Sequence, residues 1–298
     1  MLQDTWTYDV ATNTWKDANS SQKFPTTSFD WGDWGGGPIA YDEKADRTIF
    51  FDEVILKSNE TLADKTWAYD CSSNTWTNLN AKGAPDGLNG ARMVYDAKAD
   101  RMILFGGDIL PYPSDGSFTD SNETWAYDFQ ANTWTDLHPK VSPPPGYNFF
   151  PMVYDPVSDR VLAWLQPNVN GTDTGPEGLW AYDYTNNTWT SNPIDKAKFR
   201  IYRSYAYVSS LKKTFFFGGV NEPDETANNE LWTYDSASNT WAQLSPSTGP
   251  GIRGWTSLTY SPKADKLVLI GGGIDRSNFT SEVWIFDPQK GTWTQVGP

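Results

Sequence analysis

The chain has 298 residues, of which 38% are hydrophobic and 24 are glycine, a composition that is normal for a packed globular protein. It contains 16 tryptophans but one histidine and one cysteine, so it cannot build a Cys/His zinc cluster, a multi-histidine copper or iron site, or a disulfide framework. Its 37 acidic and 23 basic residues give a net charge of −14, which repels nucleic acid and anionic membranes, and no apolar run approaches the ~20 residues of a membrane span.

Six segments of the chain share one aromatic pattern. Each holds a Trp-x-Tyr/Phe-Asp run, and a second tryptophan follows nine residues after the first. The period-two alternation, with an Asn or Gly in the turn, predicts a hairpin of two strands. The first tryptophans recur at intervals of 61, 58, 55, 52 and 52 residues, which indicates an internal repeat. The pairs are Trp6 and Trp15, Trp67 and Trp76, Trp125 and Trp134, Trp180 and Trp189, Trp232 and Trp241, and Trp284 and Trp293.

Five of these hairpins follow a second pair of short apolar runs. The clearest is Met93–Asp96, a polar turn at 97–101 and Met102–Gly107; the others span 39–51, 152–165, 205–219 and 258–273. Each complete repeat therefore predicts four antiparallel strands, as in one blade of a β-propeller. We predict an all-β fold of six blades of four-stranded antiparallel sheets, with the first blade represented only by its outer two strands.

A double glycine closes three of the inner strand pairs, at Phe105-Gly106-Gly107, Phe217-Gly218-Gly219 and Ile270-Gly271-Gly272. Together with the Trp-x-Tyr/Phe-Asp strand that follows each of them, these motifs resemble kelch repeats, over essentially the whole chain. The resemblance implies a kelch-type propeller similar to the central domain of galactose oxidase, of the non-catalytic type found on bacterial and archaeal surfaces. Kelch copper oxidases need two histidines and a Tyr–Cys crosslink, and this chain has only His138 and Cys71.

We predict a single domain over residues 1–298, with an outer hairpin at 1–19 and complete blades at about 20–80, 81–138, 139–193, 194–246 and 247–298. The inner pair of the first blade has no counterpart in the sequence. This leaves three interpretations: a fragment of a longer protein, which we favour, a gap that another chain fills, or a two-stranded sixth blade. The first four residues carry no apolar signal region, so we expect a cytosolic protein or a mature or trimmed form.

The loops after the second strand of each complete blade are long and unlike one another, as binding loops on a rigid scaffold usually are. They span 51–66, 106–124, 166–179, 218–231 and 271–283 and hold 16 acidic residues against Lys57, Lys65 and Arg276. They predict an acidic face, for which solubility is the plainer explanation. Their carboxylates also suggest calcium, and otherwise we expect no cofactor or metal. The calcium candidates are Asp115, Asp120, Asp173 and Asp224.

Six Asn-x-Ser/Thr sequences are candidate glycosylation sites. Together with the single cysteine and the acidic loops, they favour an extracellular or cell-surface location, with the cytoplasm as the alternative. The six acceptors are Asn19, Asn59, Asn122, Asn170, Asn186 and Asn278.

A second candidate site is the rim of the predicted central channel, formed by the segments that lead into each first strand. Arg253 resembles the arginine that many kelch repeats carry there, where family members line a pocket for acidic peptides. Aromatic and guanidinium groups there also suit stacking on sugar rings, helped by Trp31, Phe149 and Tyr202. Packing between blades is the plainer role for any single one of them. The candidate rim residues are Trp34, Arg92, Tyr147, Arg200, Arg203 and Arg253.

These features predict a non-enzymatic binding or assembly module on the cell surface or outside the cell, as a subunit of a polymer or part of a larger surface protein. We expect a protein or glycan ligand on the long-loop face, and self-assembly or strand donation that completes the first blade. We expect neither nucleic acid as a partner nor a membrane span. Two alternatives are a carbohydrate-active hydrolase or lyase that uses paired carboxylates, and an intracellular kelch adaptor that binds acidic peptides.

Overall fold

The computed structural model describes residues 4–20, 37–52, 66–85, 88–109, 119–145, 150–165, 178–192, 202–221, 226–275 and 277–297. Within these ranges the regular secondary structure is β-strand, as the period-two aromatic runs predict. They contain no helix with the length and apolar character that a membrane crossing requires. The chain divides into two compact units, one of Met1–Thr7 with Lys16–Lys196 and one of Tyr8–Trp15 with Ala197–Pro298. The single domain over residues 1–298 stays a prediction.

The hairpin at residues 6–17 is a two-stranded sheet of β1 (Trp6–Asp9) and β2 (Thr14–Asp17). No other strand in the described ranges pairs with β1. The Ala18 amide donates to the Thr5 carbonyl oxygen over 2.8 Å, so the backbone groups of Thr5 face β2. Because backbone groups alternate between the two edges of a strand, those of Trp6 face the other edge. We call this the open edge of β1.

The first unit also holds three four-stranded antiparallel sheets, each built from one sequence repeat. Their strands are β3 (Ile39–Asp42), β4 (Arg47–Phe51), β5 (Thr66–Asp70) and β6 (Thr75–Asn78); β8 (Arg92–Asp96), β9 (Arg101–Phe105), β11 (Thr124–Asp128) and β12 (Thr133–Asp136); and β13 (Met152–Asp155), β14 (Arg160–Leu165), β15 (Gly178–Asp183) and β16 (Thr188–Asn192). The short strands β7 (Leu88–Asn89) and β10 (Asp108–Ile109) pair beside the second sheet. In each four-stranded sheet the order along the chain is the order across the sheet.

The second unit holds two sheets of the same kind. Their strands are β17 (Ser204–Val208), β18 (Lys213–Phe217), β21 (Leu231–Asp235) and β22 (Thr240–Leu244), and β23 (Ser257–Ser261), β24 (Lys266–Ile270), β25 (Val283–Asp287) and β26 (Thr292–Gln295). The pair β19 (Val220–Asn221) and β20 (Thr226–Ala227) lies in the loop between β18 and β21.

The described residues thus form five four-stranded blades, which confirms an all-β propeller architecture built from the repeats. The count of six blades is not confirmed, because β1 and β2 form a sheet of their own with no inner pair in the described ranges. The sixth blade therefore stays a prediction.

One hydrogen-bonded unit recurs in the turn between third and fourth strands. In the second sheet, the Tyr127 hydroxyl donates to Asn132 Oδ1 over 2.7 Å, and Asn132 Nδ2 donates to the Leu79 carbonyl oxygen beside the preceding sheet over 2.6 Å. Asn132 has a φ of 52°, a left-handed conformation that asparagine tolerates. The same Tyr–Asn bond joins Tyr8 to Asn13, Tyr69 to Asn74, Tyr182 to Asn187 and Tyr234 to Asn239.

The aspartate that ends each third strand of a four-stranded sheet holds the same turn and an ion pair. Asp70 Oδ1 accepts the amides of Ser72 and Ser73, and its Oδ2 lies 2.8 Å from Arg47. These contacts, led by the Ser72 hydroxyl, lower the pKa of Asp70 to about 2. The recurring aspartates are therefore structural, as their equal spacing predicts. The equivalent ion pairs are Arg101 with Asp128, Arg160 with Asp183, Lys213 with Asp235 and Lys266 with Asp287.

The tryptophan of the fourth strand packs on the preceding sheet. Trp134 is 3% exposed, its ring centroid lies 5.3 Å from that of Phe51 at the end of β4, and its Nε1 donates to the Thr66 hydroxyl over 2.8 Å. Trp189 makes the same contacts with Phe105 and Thr124. Burial of these large rings supplies much of the apolar contact between neighbouring repeats.

The double glycines mark places where backbones approach closely. Gly218 has a φ of 62°, and a Cβ there would lie 2.3 Å from the Arg253 carbonyl oxygen. Gly107 has a φ of 90°, and a Cβ there would lie 2.8 Å from the Asn89 carbonyl oxygen. An L side chain fits neither position, which explains the Gly-Gly pairs in the sequence.

Candidate functional site

Arg253, a predicted rim residue, lies in the segment that leads into β23. Its side chain is buried, and its Nη2 lies 2.7 Å from Glu282 Oε2, which also accepts Trp284 Nε1 over 2.8 Å. Arg253 Nε and Nη1 donate to the carbonyl oxygens of Gly251 and Gly271. These contacts hold its own segment against the loop before β25. Its predicted role in ligand binding stays a prediction.

The other described rim arginines also contact their own units. Arg203 is buried, with its guanidinium carbon 5.6 Å from the centroid of the Phe216 ring and its Nη2 3.9 Å from Glu230 Oε2. Arg92 is partly buried, and its Nε donates to the Phe150 carbonyl oxygen over 3.2 Å. The remaining rim candidates, Trp34, Tyr147 and Arg200, lie outside the described residues.

Three aromatic rings meet beside Arg253. The rings of Tyr202 and Trp255 stack with centroids 5.0 Å apart and an interplanar angle of 29°. Phe279 meets Trp255 edge-on, with centroids 6.3 Å apart. Phe279 is 60% exposed and its loop neighbour Ile274 is 55% exposed. We call these four residues, Tyr202, Trp255, Phe279 and Ile274, the aromatic patch.

The backbone of the aromatic patch is unusual. Tyr202 has a φ of 51° and Trp255 a φ of 53°, although bulky residues rarely adopt the left-handed region. The equivalent position in the second sheet, five residues before its first-strand tyrosine, is Gly90 with a φ of 73°. Trp255 Nε1 is also buried without a hydrogen-bond partner in the described part of the chain. Trp255 therefore combines backbone strain with an unsatisfied polar group, and such costs concentrate at functional sites.

The family model of the Attractin/LZTR1 beta-propeller matches residues 169–298, which include the whole aromatic patch. This match and the four-stranded antiparallel sheets support a kelch-repeat propeller. Propellers of this kind are generally protein-binding modules and are usually non-catalytic.

The open edge of β1 is the second unusual surface of the propeller. Trp6, Ile39 and Tyr41, all in the first unit, are 52%, 53% and 50% exposed. The counterparts of Ile39 and Tyr41 in the second sheet, Met93 and Tyr95, are only 6% and 9% exposed. In the second sheet, Met93 and Tyr95 pack in a core with residues of the preceding sheet. From the repeat, the inner strand pair of the first blade is expected to cover Ile39 and Tyr41 in the same way.

The hairpin of β1 and β2 nevertheless contacts the first four-stranded sheet as an outer strand pair does. Trp76 Nε1 donates to the Thr5 hydroxyl over 2.9 Å, just as Trp134 donates to Thr66. Asn74 Nδ2 donates to the Ala18 carbonyl oxygen, as Asn132 does to Leu79. The outer pair is therefore placed as in a complete blade.

Three glutamates of the long loops accept the indole N–H of the tryptophan two residues later. The pairs are Glu123 with Trp125, Glu230 with Trp232 and Glu282 with Trp284, at 2.8, 3.0 and 2.8 Å. The recurring Glu-x-Trp spacing was the sequence signal for this structural role. These carboxylates already accept a hydrogen bond within the protein, so they are not freely available to a ligand. The acidic face as a whole stays a prediction.

The metal and catalytic candidates do not converge in the described ranges. Asp120 is partly buried, and the other calcium candidates, Asp115, Asp173 and Asp224, lie outside those ranges. No group of three or more His, Cys, Asp or Glu residues suited to a metal ion occurs in the part of the chain that the structure describes. Cys71 is exposed, and His138 Nδ1 lies 3.3 Å from Asp136.

The described sequons differ in how accessible the acceptor nitrogen is. Asn19 is exposed, and its Nδ2 makes no hydrogen bond within the described residues. Asn186 and Asn278 are exposed, with Nδ2 bonded to Asp183 and Asp275. Asn122 is partly buried and its Nδ2 donates to the Pro143 carbonyl oxygen over 3.1 Å. Asn59 and Asn170 lie outside the described residues.

Proposed function

We propose that this propeller is a non-enzymatic binding and assembly module that accepts a β-hairpin from a partner polypeptide at the open edge of β1. The observation that carries the proposal is the exposure of Ile39 and Tyr41, whose counterparts Met93 and Tyr95 are buried in the second sheet. An edge strand with unpaired backbone groups is a template for strand addition. Completion of the first blade by such a hairpin is the assembly step.

The contacts between complete blades specify the hairpin that would fit. Trp134 and Trp189 pack on Phe51 and Phe105, each of which ends a second strand, so an incoming second strand should end in an aromatic residue that reaches Trp76. Its backbone would pair with Trp6 in the register by which Leu104 pairs with Trp125. The partner is therefore a kelch-like inner hairpin.

The turn of the incoming hairpin should carry a lysine. Lys44 and Lys98 in two first-to-second-strand turns donate to Asp100 and Asp159 in the turn of the next sheet. The equivalent carboxylate in the first sheet is Asp46, which is exposed and accepts the Tyr41 hydroxyl over 2.6 Å. Asp46 would receive the lysine of the partner.

Residues 92–107 of this chain supply a suitable probe. A fluorescein-labelled peptide of that sequence, closed by a terminal disulfide because isolated hairpins are marginal in water, should bind saturably in an anisotropy titration. Ile39→Asp should weaken binding at least tenfold. Val157→Asp, at another exposed apolar residue in the first unit, is the matched control and should leave binding unchanged.

A charge exchange tests the predicted pairing. A peptide with Lys98→Glu should bind the wild-type protein several-fold more weakly, and Asp46→Lys should restore its binding. Absence of saturable binding, or equal binding to wild type and Ile39→Asp, would contradict the proposal.

We also propose an extracellular or cell-surface location with glycosylation. The exposure of Asn19, Asn186 and Asn278 supports it. After secretion from a eukaryotic host, intact-mass analysis should find Asn19 the most occupied described site and Asn122 the least, because the Asn122 amide is engaged. A mass equal to that of the bare chain would contradict this proposal.

The absence of catalysis is part of the proposal. A panel of polysaccharides incubated with the protein should show no turnover, and a product released at a rate proportional to protein concentration would favour the hydrolase or lyase instead. The adaptor alternative predicts binding of acidic peptides that Arg253→Ala abolishes. The pairing of Arg253 with Glu282 counts against it.

A further inference from the structure

We propose that the aromatic patch of the second unit is a second binding site, for a peptide segment that presents an apolar side chain next to lysine or arginine. This site is distinct from the hairpin site of the first unit, and neither depends on the other. Its residues are Tyr202, Trp255, Phe279 and Ile274.

The apolar half of the ligand follows from exposure and shape. Phe279 and Ile274 project from the loop before β25, and Ile252, next to Arg253, is 48% exposed as well. Trp255 lies behind Phe279 and stacks on Tyr202, so the patch rests on rings that are already in contact. A ligand side chain placed against Phe279 would bury apolar surface without requiring those rings to be ordered first.

The strain at Trp255 supports a functional role for this patch. Gly90 meets the same left-handed requirement in the second sheet without a side chain. Two neighbouring repeats instead place Tyr202 and Trp255 at that position, and Trp255 leaves its indole N–H unsatisfied in the described part of the chain. A residue type chosen for stability alone would be glycine or asparagine.

The basic half of the ligand follows from charge. Within the described residues, the two arginines next to the patch are buried and face carboxylates, Arg253 with Glu282 and Arg203 with Glu230; Arg276 lies outside the described residues. Among the described residues, the exposed charge next to Ile274 is Asp275, whose pKa the Ser277 amide and the Asn278 side chain lower to about 2. Asp275 is therefore ionised at every physiological pH, in a chain of net charge −14. A cationic side chain complements this surface.

The ring geometry favours a peptide over a sugar. A sugar ring stacks on an exposed aromatic face, but one face of Trp255 is covered by Tyr202, and Phe279 meets Trp255 at 62° instead of extending its plane. The exposed aliphatic Ile274 and Ile252 offer no hydrogen bonds to hydroxyl groups.

A phage-displayed library of random dodecapeptides, selected on the wild-type protein, tests the proposal. Selection should enrich sequences with an aromatic or aliphatic residue beside lysine or arginine. Synthetic peptides of those sequences should bind Phe279→Ser and Trp255→Gly at least tenfold more weakly than wild type. Val157→Ser, at an exposed apolar residue of the first unit, should bind them as wild type does. Circular dichroism should confirm that every variant folds.

Several results would overturn the proposal. They are failure to enrich any sequence, enrichment of acidic sequences, and peptides whose binding is insensitive to Phe279→Ser. Binding of an oligosaccharide panel that Phe279→Ser abolishes would assign the patch to glycans. Because Ile39→Asp should affect only the hairpin peptide and Phe279→Ser only the selected peptides, failure of one proposal is distinguishable from failure of the other.

Discussion

The turns after the third strands and the segments that lead into the first strands both contain a residue with a left-handed φ. The two places differ in which residue takes up that conformation. At the turns, Asn132 and its counterparts adopt a left-handed φ and use their side chains to join the hairpin to its neighbours. In the leading segments the equivalent left-handed residues are Gly90, Tyr202 and Trp255. The fold thus fixes the conformation at both places but fixes the side chain only at the turns.

This difference separates the framework from the proposed binding surface. The side chain of a turn asparagine accepts one hydrogen bond through its oxygen and donates another through its nitrogen, and the residue carries little backbone strain. Trp255 carries a left-handed backbone and an indole N–H without a hydrogen-bond partner in the described ranges, each of which costs about 1–3 kcal/mol. Within one repeat architecture, the framework positions are those where side chain and backbone agree, and the candidate site is where they conflict.

The largest expected effect comes from the framework tryptophans. Trp134→Ala should lower the free energy of unfolding by about 3–5 kcal/mol, because it removes a buried ring between two sheets and its hydrogen bond to Thr66. Trp15→Ala, at the equivalent position of the two-stranded sheet, removes a ring that is 42% exposed and should cost less than about 1.5 kcal/mol. Urea denaturation of both variants measures the difference. Equal losses would show that the two hairpins are equally integrated.

The turn asparagine should have the next largest effect. Asn132→Ala should cost about 2–3 kcal/mol, because it loses two hydrogen bonds and places a Cβ-bearing residue without side-chain compensation at a φ of 52°. Asn132→Gly accepts that φ and loses only the hydrogen bonds, so it should cost about 1 kcal/mol less. Equal costs in urea denaturation would mean that the left-handed backbone contributes nothing.

The sequence predicts the framework well because the same residue pattern recurs in six repeats. The Trp-x-Tyr/Phe-Asp run and the tryptophan nine residues after the first recur in all six repeats, and the turn residue is asparagine in five of them and Gly291 in the sixth, so the strands and turns followed from the pattern alone. The structural role of the aspartates also followed, since Asp70 and Asp128 occupy equivalent turns.

The candidate sites were less predictable for a physical reason. Trp255 was one of four tryptophans outside the repeat, and nothing in its neighbours reveals a left-handed φ or contact with Tyr202 and Phe279, which are 53 and 24 residues away. Likewise, Arg253 looked available for a ligand because its partner Glu282 lies in a different loop. Tertiary contacts between non-repeating residues determine these features, and a repeat pattern carries no information about them.

The third prediction is a variant that should stabilise the protein. It adds the hydrogen bond between a glutamate and the tryptophan two residues later to a repeat that lacks it. Trp180 Nε1 is buried with no hydrogen-bond partner in the described ranges, and the position two residues earlier is Gly178, where three other repeats have a glutamate. A Cβ at Gly178 would lie 3.6 Å from the Asn192 carbonyl oxygen, an ordinary van der Waals contact. Gly178→Glu should add about 0.5–1.5 kcal/mol.

The control for this variant is Gly178→Leu, which adds a side chain without an acceptor. It should raise stability less than Gly178→Glu in the same denaturation series. An equal gain would attribute the effect to loss of glycine flexibility in the unfolded chain and not to the Trp180 indole.

The smallest expected effect is on the pH dependence of stability. It is compared between a carboxylate of the framework and a carboxylate in the loop of the aromatic patch. The pKa values of Asp70 and Asp275 are both lowered from 3.8 to about 2, by hydrogen bonds to neighbouring amides and side chains. The stability that each contributes is present above pH 3.8 and is lost as the pH falls towards 2, because the unfolded chain takes up the proton first. Asp70→Asn and Asp275→Asn should therefore each make the unfolding midpoint less dependent on pH between 4 and 2, and by similar amounts. If only Asp70→Asn does so, the loop at Asp275 opens before the framework unfolds, which would make the patch loop an independent, less stable element.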